Sequence, residues 1–162
     1  MEILPDIQSL VDKELDAFYQ EHPAFGMIER VKASAYHEDE RRNISIQLSA
    51  DELSALDMNL AMLMTEISVA VARKTSAHNE KYSRRGLFQA HQYLSHREKS
   101  TQGDAEIFAK LDAKEYLIQE LVSMAVADTL KAKERSYFTL ISVIQSRLGV
   151  IKNENINAMK NR

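Results

Sequence analysis

SADELSALDMNLAMLMTEISVA, residues 49–70, decides the architecture. Its first four residues, Ser49-Ala50-Asp51-Glu52, have the order of a capping box, in which a serine hydroxyl takes the N3 amide and a glutamate carboxylate returns to the cap amide. Leu53, Leu56, Leu60, Leu63, Ile67 and Ala70 then recur at spacings of 3, 4, 3, 4 and 3. That period builds a continuous apolar seam along a helix. Met58, Met62 and Met64 widen the seam with flexible, polarizable side chains suited to an adaptable core or to self-association.

Outward from this stretch the helical pattern continues, although Lys74, Lys81 and Arg84 make the seam wetter while Tyr82, Leu87, Phe88, Tyr93 and Leu94 keep apolar bulk available. Gly86 marks a place for a bend. Residues 98–104 are small and polar and read as a connection. Beyond them Ile107, Phe108, Leu111, Ile118, Leu121, Val122, Ala125, Val126 and Leu130 form a second apolar face, extended by Tyr137, Ile141, Ile144, Leu148 and Ile151. Gly149 or the Asn153, Asn155 and Asn157 region ends it. Upstream, Pro5 opens a helix carrying Ile7, Leu10, Val11, Leu15 and Phe18, and the His22-Pro23 step closes it. Residues 24–42 fit two patterns. Phe25, Met27, Ile28, Val31 and Ala35 suit a short helix, whereas Val31–Tyr36 suits a strand that pairs with the alternating Ile44, Ile46 and Leu48 in a short β-hairpin across 31–48.

The expected fold is therefore all-α: a long antiparallel helical hairpin with an N-terminal helix and a short β-hairpin, in one domain spanning 1–162. Its parts are an N-terminal segment 1–48, a first long helix 49–97, a turn 98–104, a second long helix 105–152 and a polar tail 153–162. A bare helical pair leaves apolar surface uncovered, so a homo-oligomer is expected. With 162 residues, 44% of them hydrophobic, the chain has material for a core, and 4 glycines with 2 prolines are too few for a many-stranded sandwich. No cysteine is present, which excludes disulfides, thiolate catalysis and cysteine-based metal sites. The N-terminus has no basic region followed by an apolar run, and no uninterrupted apolar stretch approaches roughly 20 residues, so a cytoplasmic protein with no membrane partner is expected.

The net charge of -3 hides a sorted distribution: residues 1–72 carry 5 basic and 14 acidic groups, 73–100 carry 7 and 2, 101–130 carry 2 and 6, and 131–162 carry 7 and 2. Two basic rows suit phosphate binding, because local lysines and arginines displace counterions whatever the total charge. The same sorting also fits antiparallel helices that set basic blocks beside acidic ones. In the first row, cations alternate with rings, a combination that holds single strands by following phosphates and stacking on bases. The candidate nucleic-acid-binding residues are Lys81, Tyr82, Arg84, Arg85, Tyr93, Arg97 and Lys99. Catalytic residues are none. Glycine-rich phosphate loops, nucleophile elbows and HExxH are all absent, and no carboxylate pair is selected by spacing. His78, His91 and His96 do not share one helical face, so neither a metal nor another cofactor is expected.

The order of a capped helix, a basic tyrosine-containing segment, a polar acidic turn and a long helix with Lys131-Ala132-Lys133-Glu134-Arg135-Ser136-Tyr137-Phe138 before an apolar tail resembles phage recombination mediators of the UvsY type over about residues 50–152. The resemblance implies a ring-forming, non-enzymatic accessory protein of DNA recombination or replication that binds single-stranded DNA and a recombinase or other replication protein. On the matching stretch Gln89–Arg97 it carries over to Tyr93, Ser95 and Arg97, while Gln89 and His91 stand where the family has cations. The alternative is a protein-interaction or assembly module, a phage inhibitor or adaptor, acting through its apolar seam without nucleic acid.

Overall fold

The computed structural model describes residues 6–35 and 49–160, and 94% of these lie in five helices. The helices are α1 (Ile7–Glu21), α2 (Ala24–Ala35), α3 (Ala50–Arg97), α4 (Gln102–Asp112) and α5 (Lys114–Lys160), with no strand among the described residues. The all-α expectation holds. Val31–Ala35 continue α2 as helix, so the strand pattern loses there, and Ile44, Ile46 and Leu48 lie outside the described residues.

Local chemistry sets the helix starts. The Asp6 carboxylate accepts from the Gln8 amide at 3.1 Å to open α1. Ser49 and Glu52 form the expected box: the Ser49 amide donates to Glu52 Oε2 at 2.8 Å and the Glu52 amide to Ser49 Oγ at 3.3 Å. The amide bond from Ser49, followed by its hydroxyl, holds the Glu52 carboxyl below the usual carboxylate range. A second cap went unread in the sequence. Thr101 Oγ1 accepts the Asp104 amide at 3.3 Å and starts α4 inside the segment expected to be a turn.

The second long helix differs from expectation at both ends. Ala113, with φ -85° and ψ 4°, interrupts it after Asp112, yet its amide still bonds to the Ala109 carbonyl at 3.1 Å and its carbonyl accepts the Leu117 amide at 3.0 Å. At the other end α5 runs through Gly149 and the asparagines to Lys160. Gly86 likewise sits inside unbroken α3. A lone glycine costs a helix only about 1 kcal/mol, too little by itself to stop either one.

Two compact units divide the chain: one holds residues up to Phe18 with Val71–Leu130, the other Tyr19–Ala70 with residues from Lys131 onward. In the first unit Val11, Phe18, Val71, Val122, Val126, Ala127 and Leu130 are buried. Here α4 turns Ala105 and Ala109 inward, with Ala113 buried at its C-cap, while Ile107, Phe108 and Leu111, read in the sequence as an apolar face, are exposed. Phe88 stacks on Tyr116 with ring centroids 4.7 Å apart. In the second unit Phe25, Ile28, Leu53, Leu60, Ile67, Tyr137, Leu140 and Ile144 form the core, each large aliphatic side chain contributing about 1.5–3 kcal/mol by leaving water. Leu53, Leu60, Ile67 and Ala70 of the predicted seam are buried, but Leu56 and Leu63 are only half-buried.

Candidate functional site

The basic segment lies in the first unit, on the part of α3 after Val71. Charge pairing takes up part of it. Arg85 Nε meets Glu120 Oε2 of α5, and both side chains are mostly buried. Arg84 pairs with Glu80 one turn away at 2.5 Å, on the exposed face. Lys74 reaches Glu14 of α1 at 2.9 Å and lies 5.6 Å from the centre of the Phe18 ring. His96 Nε2 meets Asp112 Oδ2 at 2.7 Å, its ring tilted against Phe108. The acidic 101–130 block thus supplies partners to the basic one, as the sorted charges suggested.

The other candidates are differently placed. Lys81 is half-buried and Lys99 and Arg97 are exposed; among the described residues none has a carboxylate within ion-pair distance. Arg97 Nη1 donates to the Ser100 carbonyl at 3.4 Å. Tyr82 is 57% exposed, with the Arg85 guanidinium 5.7 Å from its ring centre. Tyr93 is half-buried in the wall of a groove of about 550 Å³ between α3 and α4, lined also by Gly86, Ala90, Glu106, Ala109 and Lys110. The segment is thus split: Arg85 is part of the packing, Lys81 is half-buried, and Tyr82, Arg97 and Lys99 are exposed.

The second unit carries a feature the charge pattern did not single out. On α3, Met58, Met62, Thr65 and Val69 recur at 4, 3 and 4 residues and form one stripe, with Met58, Met62 and Val69 exposed by 64%, 69% and 47%. Opposite them on α5, Phe138 is 53% exposed. Between the two helices runs a groove of about 680 Å³ lined by Ala61, Met64, Thr65, Val69, Phe138 and Ile141, among others. Sequence reading gives Met58, Met62 and Met64 to an adaptable core or to self-association; Met64 is buried, and the spacing of Met58 and Met62 two residues from the buried Leu60, on the opposite side of the helix, was the signal that separates them.

Beside that groove, α2 is tied to α5 by polar contacts. Tyr137 donates its hydroxyl to Glu29 Oε1 at 2.7 Å, and Lys133 Nζ reaches the same oxygen at 3.3 Å. Lys133 also lies 4.7 Å from the Tyr19 ring centre, and Lys32 donates to Ser136 Oγ at 3.0 Å. Burial would raise the Glu29 carboxyl, but the Tyr137 hydroxyl and the Lys133 charge outweigh it and hold it below the ordinary value. Burial first, then the Glu29 carboxylate, pushes Tyr137 well above the usual phenol range.

Among the described residues no group of three or more histidines and carboxylates is arranged to hold a metal ion. One window of 18 residues in α3 has a mean hydropathy of 1.4, so by length and composition this helix is apolar enough to cross a bilayer; 28% of that window is buried within the protein. The sequence expectation counted uninterrupted apolar runs, which Asp57 and Glu66 break. Comparison of the chain with protein-family models, with curated proteins and with solved structures gives no match in any of the three.

Proposed function

We propose that this chain is a non-enzymatic assembly module that works as a homo-oligomer, with its second unit covered by another polypeptide along the Met58, Met62, Val69 and Phe138 face. The proposal takes α3 and α5 as a long antiparallel hairpin offering a two-helix groove to a third helix. One observation carries it: a methionine and valine stripe at helical spacing is exposed beside an equally exposed Phe138, over a groove of about 680 Å³. Amphipathic helices bind such grooves through apolar anchors one turn apart. Exposed methionine adapts readily to a partner's shape. Contiguous exposed apolar surface of this kind marks interaction sites. Sedimentation of the full chain and of Phe138→Asp tests the proposal. An assembly that the substitution dissociates is the expected result, and an assembly it leaves intact, or a chain that is monomeric throughout, defeats the reading.

A second reading is the recombination or replication accessory that binds single-stranded DNA and a recombinase. It is supported by Lys81, Arg97 and Lys99, which have no carboxylate partner among the described residues, beside the exposed ring of Tyr82. That combination suits phosphates and bases. It occupies the other unit and is compatible with assembly through the methionine face.

A further inference from the structure

We infer that the groove of the second unit is filled by a second copy of this chain, related by a two-fold axis parallel to the helices, so that α3 of each copy lies on α5 of the other. The inference rests on the assembly reading above and adds the occupant and its register.

Charge is the first argument. Residues 50–70 of α3 carry 4 acidic and no basic groups, whereas residues 131–160 of α5 carry 6 basic and 2 acidic. Within one copy some of these charges are spoken for: Glu52 serves the helix cap and Asp57 Oδ1 accepts from Gln145 Nε2 at 3.2 Å. Asp51 and Glu66 on α3, and Arg135 and Lys152 on α5, are all exposed and have no charged partner among the described residues. The groove itself is lined by uncharged residues, and the exposed surface beside it is acidic on α3 and basic on α5. Such a surface complements itself when a two-fold sets α3 over α5 and repels itself when α3 meets α3.

Register is the second. Ser68 Oγ donates to Glu134 Oε1 at 2.5 Å, and Gln145 donates to Asp57, so α3 and α5 run in opposite senses with residue 68 level with 134 and 57 level with 145. By the same count Glu66 is level with about residue 136, and Asp51 with about residue 151. An axis parallel to the helices keeps these levels when it moves α3 onto the α5 of the other copy. Glu66 of one copy then comes to Arg135 of the other, Asp51 comes to Lys152, and Phe138 enters between Met62 and Thr65. On α5 the residues Arg135, Phe138, Ser142, Gln145, Gly149 and Lys152 follow spacings of 3, 4, 3, 4 and 3, which puts them on one face. The result is a four-helix bundle of two facing pairs, in which apolar ridges meet in the middle and opposite charges close both ends.

The test uses full-length chains in sedimentation velocity at low and moderate salt, with far-UV circular dichroism to confirm helix content. Glu66→Arg and Arg135→Glu each place like charges across both halves of the dimer and weaken it by on the order of tenfold. Mixing the two variants in equal amounts restores association. In the mixed dimer the introduced arginine of one variant faces the introduced glutamate of the other, and the unaltered Glu66 faces the unaltered Arg135 at the symmetry-related contact. A mixture that behaves as the average of its components overturns the inference. Dissociation by Phe138→Asp with no response to either reversal overturns the inference but leaves the assembly reading standing. Assembly indifferent to Phe138→Asp, or a monomer at every concentration, removes both.

Discussion

The Tyr137 hydroxyl and the Glu29 carboxylate meet at 2.7 Å, joining α2 to α5 through a phenol whose own residue is wholly buried. Lys133 shares the same carboxylate oxygen, so one acid holds two donors from a single face of α5. Tyr137→Phe removes the hydroxyl while keeping the ring against Phe25, 6.0 Å between centres. The expected cost is about 1.5 kcal/mol, at the lower end for a hydrogen bond to a charged group because Glu29 retains Lys133 and some solvent. Urea unfolding of the two proteins measures it. The pH dependence has a definite sign: a carboxyl held below its ordinary value of 4.5 contributes stability that is complete above that value and is lost as pH falls through the folded-state pKa. Glu29→Gln flattens this part of the stability profile, and an unchanged acid limb would show that the contact contributes nothing.

Glu120 and Arg85 form the least exposed ion pair described. Glu120→Ala strands the guanidinium, whose side chain keeps 26% exposure, and costs about 2–3 kcal/mol, below the 3–5 kcal/mol typical of a fully buried pair because water still reaches the cation. Combining Glu120→Leu with Arg85→Met recovers most of the loss, since two apolar side chains avoid desolvating charge. Chemical denaturation of the single and double variants separates the two outcomes.

The same pair divides the basic segment by role. If single-stranded DNA is a ligand, Arg97→Ala and Lys99→Ala weaken binding of a labelled oligonucleotide, and each lowers the salt slope by roughly one unit or less, near the 0.7 per contact of single strands. Arg85→Ala lowers stability and leaves the salt slope nearly unchanged. Fluorescence anisotropy at about 50 mM and 200 mM salt is the measurement, and an oligonucleotide that does not bind at the lower salt excludes this reading.

Much of this architecture was legible because helix-forming signals act locally. The Ser49 to Glu52 cap needs only four residues, and the Leu53, Leu60, Ile67 and Ala70 seam needs only a period. Reading failed where side-chain size misled. The large residues of α4, Ile107, Phe108 and Leu111, face outward, and its buried side is Ala105 and Ala109, followed by the cap residue Ala113, whose small volume lets backbones come close but adds little to a hydrophobic pattern. The break at Ala113 carries no glycine or proline signal. At the candidate site, charge sorting foretold that basic and acidic blocks would meet, but which cation is consumed depends on the face each occupies: Arg85 turns toward α5 and Lys99 does not. The Glu29 and Tyr137 contact joins residues 108 positions apart, a distance over which no local pattern informs.

The boundaries of the two units fall between Phe18 and Tyr19, Ala70 and Val71, and Leu130 and Lys131, each inside a helix instead of at a linker. No gene truncation can therefore excise either half with intact helix ends, and an exchange of halves between related genes would have to keep helical phase at three joints at once. Substitution on helix faces leaves those joints undisturbed, whereas exchange of parts does not.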